Sequence, residues 1–212
     1  MRSLVPNMLT LTSLIMLLTL SLSGCDHGSG SGGGSGSDSG SLRISIEPKT
    51  ISPGSLAFLE VVFRDSGYDD LESHGLTVKL LVPNQIAFIS GSASLTRDSG
   101  AISIAPIFYD PAPQELVKAV LAEAGVEPPA DAAAADEFSF LVFSLPPSLI
   151  ESEDNGVIQL SLNVTGTPKV ASIYGDLDRV AVTEFSATAP DFDLEAQQDV
   201  QIVDPTAAEE ES

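Results

Sequence analysis

Residues 158–164, IQLSLNV, and residues 76–83, LTVKLLVP, decide the fold class of this 212-residue chain. In the first stretch every second residue from Ile158 to Val164 is aliphatic, and the residues between them are polar. Successive side chains of a β-strand point to opposite faces, so this alternation predicts strands with one face in a core and one in water. The second stretch follows the same period until Leu81 breaks it. Strands of this kind are typical of antiparallel sheets.

More strands follow from the same reasoning. Residues 42–46 also alternate, whereas residues 56–63 and 138–143 are apolar on both faces, which predicts central strands. The remaining strand candidates are 86–96, 101–108, 169–174, 179–185 and 198–203. Turn residues stand at 52–54 (Ser-Pro-Gly), 83–85, 98–100 and 154–156. Many short strands with frequent turns predict an all-β fold, an antiparallel β-sandwich over residues 42–204.

One segment departs from the strand pattern. In 110–125, DPAPQELVKAVLAEAG, apolar residues recur at helical spacing from Leu116 to Ala124, and Gly125 is placed to cap the helix end. We therefore predict one short helical insertion, a helical excursion over 109–136, and expect it to cover one open end of the sandwich.

The first 24 residues predict a signal peptide. Arg2 makes a short positive start, and the apolar stretch 8–22 is shorter than the roughly 20 residues that cross a bilayer. The stretch ends in Leu22-Ser23-Gly24-Cys25, which resembles the lipobox of bacterial lipoproteins. The resemblance implies cleavage before Cys25 and acylation of its thiol by fatty acids such as palmitate. The alternatives are an ordinary secretory signal with an unrelated cysteine and an uncleaved anchor.

A polar tether connects this anchor to the sandwich. Residues 25–41 begin with the lipidated cysteine and continue as DHGSGSGGGSGSDSGS, which has no apolar surface to bury and predicts a disordered linker of about 20–24 Å r.m.s. span. Asp26 resembles the signal that retains lipoproteins on the periplasmic face of the inner membrane, although the outer membrane stays open. His27 is interpreted as a solvated residue. Residues 205–212 predict an acidic tail.

Five elements of the body resemble a bacterial surface-repeat domain with an immunoglobulin-like β-sandwich. They are the turn at Pro53-Gly54, the long strand 57–64, the strand ending in Val82-Pro83, the element Phe88-Ile89-Ser90-Gly91-Ser92, and the closing strands FSFLVFSLPP (138–147) and VIQLSLNVTG (157–166). The resemblance covers residues 43–185. It implies an immunoglobulin-like sandwich that serves in display, adhesion or structural spacing at cell surfaces, with no catalytic residues.

Composition excludes several classes of function. The chain carries 30 acidic against 9 basic residues, a net charge of −21, which repels phosphate backbones and excludes nucleic-acid binding. A single cysteine excludes an internal disulfide. Only two histidines exist, and no Gly-x-Ser-x-Gly nucleophile motif or phosphate-binding loop is present. We therefore predict no enzyme, although a dispersed carboxylate pair is the form that catalysis would take.

Acidic residues supply the one candidate metal site. Asp65, Asp69, Asp70 and Glu72 crowd one predicted loop with His74, and carboxylate oxygens are ligands that Ca²⁺ prefers. The alternative is a solvated loop, which an acidic chain produces by chance. A second pair, Asp176 with Asp178, could join the site if the fold brings the two loops together. Three further acidic residues predict a charged strand edge that discourages aggregation: Asp191, Asp193 and Glu195.

The leading hypothesis is an exported, membrane-anchored, non-enzymatic module of the bacterial cell envelope. Its partners would be the lipid bilayer, through acylated Cys25, and an unknown envelope protein or glycan. The alternative is a calcium- or carbohydrate-binding sandwich of adhesion type. The chain has no Trp and only Tyr68, Tyr109 and Tyr174 as candidate sugar platforms, so core packing is the simpler interpretation of its aromatic residues. No resident cofactor is predicted, apart from the possible Ca²⁺.

Overall fold

The computed structural model describes residues 41–64, 75–97, 99–127, 137–150, 155–166, 169–178, 181 and 191–204. The strands of these residues form two sheets. The first sheet has the strand order β1 (Ser41–Glu47), β3 (Leu56–Arg64), β10 (Asn155–Val164), β6 (Ser94–Arg97) and β7 (Gly100–Ser103), with β5 (Ile86–Phe88) also paired to β10. The second sheet has the order β2 (Thr50–Ile51), β12 (Ala196–Ile202), β11 (Lys169–Asp178), β4 (Leu76–Pro83), β9 (Phe138–Leu145) and β8 (Ile107–Tyr109). Every pairing is antiparallel except β2 with β12. The predicted immunoglobulin-like antiparallel β-sandwich with one short helix is confirmed.

The core lies between the inner faces of the two sheets. Leu59 on β3 lies opposite Ile46 on β1 and Leu160 on β10, and all three side chains are buried. Leu80 on β4 and Leu141 on β9 meet in the same way in the second sheet. The aliphatic positions of the alternating stretches therefore form one continuous apolar layer, which is the main source of stability in a sandwich.

The chain crosses from the first sheet to the second immediately after β1 and returns through a tight turn. Ser55 N–H donates to the Ser52 carbonyl across 3.1 Å, and Gly54 has a φ of +83°. Proline at the second turn position and a positive φ at the third define a type II turn, for which glycine is the favoured residue. The turn predicted at 52–54 therefore forms as expected.

Two predicted strands are each divided. Residues 86–96 form β5 and β6, because Gly91 adopts a φ of +79° between them and turns the chain. Residues 101–108 form β7 in the first sheet and β8 in the second. The strand at 56–63 is central as predicted, but its outer face is not covered: Leu56 is 55% exposed and Phe58 is 60% exposed. The candidate at 179–185 and the tail 205–212 fall outside the described residues, apart from Ala181.

The helix α1 (Gln114–Glu123) lies on the outer face of the second sheet. Four of its residues, namely Leu116, Val117, Val120 and Leu121, are buried in a second apolar cluster with Leu81, Phe140, Val142 and Tyr174. The expectation that it covers an open end of the sandwich is therefore wrong.

The end of α1 has the predicted glycine cap. Val126 N–H donates to the Leu121 carbonyl across 2.8 Å, Gly125 N–H donates to the Ala122 carbonyl across 3.1 Å, and Gly125 has a φ of +71°. These bonds form a Schellman motif. No helix in the part of the chain that the structure describes has the length and apolar character needed to cross a bilayer.

Candidate functional site

A group of charged side chains, of which Lys79 and Asp176 are buried and Asp178 is partly exposed, lies on the outer face of the second sheet. We call it the Lys79 cluster, and it comprises Lys79, Asp176, Asp178 and the backbone of Asp191 and Asp193. Lys79 on β4 and Asp176 on β11 are direct cross-strand partners. Both point away from the main core, since their strand neighbours Val78 and Leu177 belong to it.

The Lys79 ammonium is surrounded by oxygen acceptors. Its Nζ lies 2.8 Å from Asp176 Oδ2 and 2.5 Å from Asp178 Oδ2, and it also donates to the backbone carbonyl of Asp191. Lys79 and Asp176 are each 1% exposed. An ammonium has three donors, and three acceptors are present here, so the buried charge is fully hydrogen-bonded. A buried pair needs this degree of satisfaction to offset the loss of hydration.

Residues 191–195, which we call the strap, cover the cluster. Phe192 is buried against the second apolar cluster, and its ring centroid lies 6.3 Å from that of Phe140. Glu195 N–H donates to the Gly175 carbonyl across 3.0 Å, and Asp193 N–H donates to the Asp176 carboxylate. The strap is therefore held by the side chains of Phe192 and Leu194 and by bonds of its backbone to Gly175, the Asp176 carboxylate and the Lys79 ammonium.

Burial shifts the proton affinity of both partners. Loss of hydration raises the pKa of Asp176 to about 6, and the hydrogen bond and charge of Lys79 offset only part of that rise. For Lys79, loss of hydration lowers the pKa, but the hydrogen bonds to Asp176 and Asp178 outweigh it and leave the pKa above its ordinary value. An ammonium held in this way is a poor nucleophile and a poor base. The cluster is therefore better suited to holding the strap on the sheet through ionic contacts than to catalysis.

The structure does not reach most of the sequence-predicted site residues. Lipobox residues Leu22, Ser23, Gly24 and Cys25, and loop residues Asp65, Asp69, Asp70, Glu72 and His74, lie outside the described residues, as does His27. Those expectations stay predictions. Within the residues that the structure does describe, no group of three His, Cys, Asp or Glu side chains is placed to hold a metal ion.

The structure revises the interpretation of the other acidic residues. Asp176 and Asp178 lie inside β11 rather than in a loop, and both pair with Lys79. The predicted acidic strand edge at 191–195 is wrong, because these residues form the irregular strap and β12 begins at Ala196. Lys79 itself was missed. Its position in an alternating strand predicts exposure, and only the apolar Leu81 two residues later indicates that this face is covered.

A second candidate surface lies on the outer face of the first sheet. Phe58 is exposed opposite Glu47 and Ser161, and Leu56 is exposed opposite Asn163. Ser41 pairs with Arg64 and Glu47 pairs with Phe58, so these apolar side chains lie toward the end of β3 opposite to Ser41. We call Leu56 and Phe58 the outer apolar patch.

Comparison with known proteins shows similarity of fold but does not assign the chain to a family. No family model matches the chain, and no curated protein matches it. Among solved structures it is similar to the major pilin subunit BcpA of Bacillus cereus, with 8% identity and a TM-score of 0.42 over 78% of this chain and 40% of the pilin. It is also similar to Streptococcus suis SadP, with 11% identity and a TM-score of 0.46 over 77% of this chain and 87% of SadP. The Corynebacterium diphtheriae major pilin SpaA gives 10% identity and a TM-score of 0.46 over 76% of this chain and 37% of SpaA.

These comparisons concern the arrangement of strands. The chain spans less than half the length of either pilin. The class that the structure defines is an immunoglobulin-like β-sandwich whose second sheet is partly covered on its outer face by a helix and a strap.

Proposed function

We propose that this chain is a lipid-anchored, non-enzymatic binding or spacing module of the bacterial cell envelope. The observation that carries the proposal is Leu22-Ser23-Gly24-Cys25 at the end of an apolar leader, followed at once by a Gly/Ser tether. Acylation of Cys25 would bury several fatty chains at about 0.8 kcal/mol per methylene, enough for stable attachment to a membrane. The tether lets the sandwich reorient near the membrane surface. Asp26 favours the inner membrane, and the outer membrane is the other possible location.

The position of β1 supports this arrangement. In the sequence the predicted tether ends at Ser41, where β1 begins. The outer apolar patch lies toward the other end of the first sheet, away from the point where the tether joins. This patch is where an envelope protein or a glycan would be bound.

The chemistry of the described residues supports a role without catalysis. The Lys79 cluster is the most deeply buried charged group among them, and its ammonium is saturated by acceptors. It lies under the strap and does not offer a carboxylate pair to a substrate. A calcium site at Asp65, Asp69, Asp70 and Glu72 and a glycan site stay as predictions beside this proposal.

Replacement of Cys25 by Ser tests the anchor. The full precursor would be expressed in a bacterial host with a labelled palmitate analogue, and the cell membranes would be washed with high salt. We expect the wild-type protein to be labelled and to stay with the membranes, because acyl chains resist salt. We expect C25S to carry no label, and any C25S processed to the mature length to leave the membrane fraction.

A matched control changes the tether without changing the lipobox. Ser35→Ala should leave labelling and fractionation as in wild type. If C25S were processed to the mature length and still stayed with salt-washed membranes as completely as S35A, the lipid-anchor proposal would be refuted. Wild-type protein that carried no label would also refute it.

A further inference from the structure

The two sheets end on the same side of the molecule. β7 (Gly100–Ser103) is the last strand of the first sheet, β8 (Ile107–Tyr109) is the last strand of the second, and residues 104–106 alone connect them. Three residues are too few to cross the width of a six-stranded sheet, so both edges lie on one side of the sandwich. Among the residues that the structure describes, no strand pairs with the free edge of β8. The backbone N–H and C=O groups at such an edge are available to another strand.

This side of the sandwich lacks the charged residues that usually protect an edge strand. Residues 99–109, SGAISIAPIFY, contain no charged residue in a chain with 30 acidic and 9 basic residues. On the opposite side, Arg43 and Glu47 lie in β1, and Lys49 comes just before β2. Charged side chains at an edge discourage pairing with another chain. The side that carries β7 and β8 is therefore the less protected of the two.

β8 also exposes large apolar side chains on both of its faces. Phe108 lies opposite Leu141 on the inner face and is 45% exposed, and Ile107 lies opposite Val142 on the outer face and is 39% exposed. The Phe108 ring centroid lies 6.0 Å from that of Phe88 in the first sheet, and both rings stay partly in water. A further strand paired with β8 would remove part of this apolar surface from water, which is favourable.

We propose that β8 pairs antiparallel with β8 of a second copy of this chain, so that the second sheets of two molecules join into one continuous sheet. Around a two-fold axis at Phe108, this residue faces its own copy, and Ile107 faces Tyr109 of the second copy. Residues directly opposite each other lie on the same face of a sheet, so each exposed apolar side chain of β8 gains an apolar neighbour. The edge is therefore self-complementary, as a two-fold dimer requires.

Charge favours a second copy over a charged partner. The net charge of −21 attracts cationic partners to the acidic surface and repels anionic ones, but residues 99–109 offer neither an ion pair. Two copies of the chain repel each other least where both are uncharged. Because the contact is confined to short strands, its area is small and the association is weak. Salt should strengthen it, since salt screens the repulsion between the rest of the two molecules.

Cysteine cross-linking tests this register. Opposite residues of antiparallel strands have Cα atoms about 4.5–5.5 Å apart, which a disulfide can span. The full chain with Phe108→Cys would be expressed in a bacterial host, and the whole culture would be treated with copper(II) phenanthroline, so that the result does not depend on the lipid anchor. Electrophoresis without reductant would separate monomer from dimer. Val170→Cys is the matched control, since Val170 lies on β11 of the same sheet, away from β8, and is 63% exposed.

We expect F108C to form a disulfide-linked dimer and V170C to form no more dimer than wild type, which reports any contribution of Cys25. Random collision predicts the opposite order, because Val170 is the more exposed residue. Ile107→Lys in the F108C chain should reduce the dimer by about 10-fold or more, since symmetry removes two apolar cross-strand pairs. Val170→Lys in the same chain adds the same charge and should leave the dimer unchanged.

A second pair of variants keeps the test decisive if F108C does not fold. Chains with Ile107→Cys and chains with Tyr109→Cys, expressed together, should cross-link to each other, whereas I107C alone should not, because Ile107 does not face its own copy. Two results would each overturn the proposal. One is cross-linking of F108C and of the I107C and Y109C mixture that does not exceed that of V170C. The other is cross-linking of F108C that I107K does not reduce.

Discussion

Replacement of Lys79 by Met gives the most direct measure of what the Lys79 cluster contributes to stability. Methionine keeps the length and apolar stem of the side chain and removes the ammonium. Asp176 would then be a buried carboxylate without a cation, at a position that is 1% exposed. Breaking a buried ion pair by removing one partner costs about 3–5 kcal/mol, because the remaining charge is uncompensated. We expect K79M to lose that much free energy of unfolding at pH 8.

The pH dependence of this loss is a second part of the same prediction. Without the ammonium, the hydrogen bond and charge that lower the pKa of Asp176 are gone, so its pKa rises further above the ordinary value. In acid the carboxyl is neutral and its burial costs less. The deficit of K79M against wild type should therefore be smaller at pH 5 than at pH 8, by about 1.4 kcal/mol for each pH unit in which only the variant binds the proton.

Urea denaturation followed by circular dichroism measures these values, with two further variants for comparison. Lys118→Met removes an exposed lysine whose Nζ lies 3.1 Å from Glu115, and it should cost about 0.5 kcal/mol or less. The double variant K79M/D176N removes both charges but keeps an acceptor for Asp193 N–H, so it should be more stable than K79M. If K79M lost no more free energy of unfolding than K118M at pH 8, the buried ion pair would not stabilise the fold as its contacts indicate.

Three other substitutions and the addition of calcium test separate parts of the structure. Gly156→Ala should destabilise the fold by several kcal/mol, because its Cβ would lie 1.8 Å from the Phe63 ring, and urea denaturation would show this as a lower midpoint. Phe58→Ser should change stability by about 0.5 kcal/mol or less, whereas Phe140→Ala should cost about 3–5 kcal/mol; equal losses would contradict the exposure of the outer apolar patch. Millimolar calcium should raise the melting temperature if loop 65–74 binds the ion, and an unchanged melting curve would remove that site.

The fold class could be predicted from the sequence because apolar residues recur at every second position in its strands. The residues Ile158, Leu160 and Leu162 alternate with polar residues, and each is buried on the inner face of the first sheet. The turn at 52–54 was accessible for a similar reason, since the proline and glycine act through local backbone geometry. Where one face of a strand is buried and the other is in water, sequence alone carries the necessary information.

The Lys79 cluster could not be predicted in this way, because it depends on the register between β4 and β11 and on the segments that cover the outer face of the second sheet. Lys79 and Asp176 are 97 residues apart, and nothing in either strand shows that they pair. The extra apolar residues of β4 and β9, such as Leu81 and Phe140, indicate a second covered face, but they do not show what covers it. The helix α1 and the strap do so together, and long-range topology alone determines that arrangement.

The two sheets consequently differ in what they can offer a partner. On the outer face of the second sheet, α1 and the strap cover the part around Leu81, Phe140 and Tyr174, whereas Val170 on β11 is 63% exposed. On the outer face of the first sheet, no described element covers Leu56 and Phe58. Their apolar surface therefore stays in contact with water, which is unfavourable. Leu56 and Phe58 are two exposed apolar residues on the same face of one strand, so Phe58 is a suitable position at which to test a binding role of the outer apolar patch. Loss of partner capture in F58S, with stability unchanged, is the result that this reasoning requires.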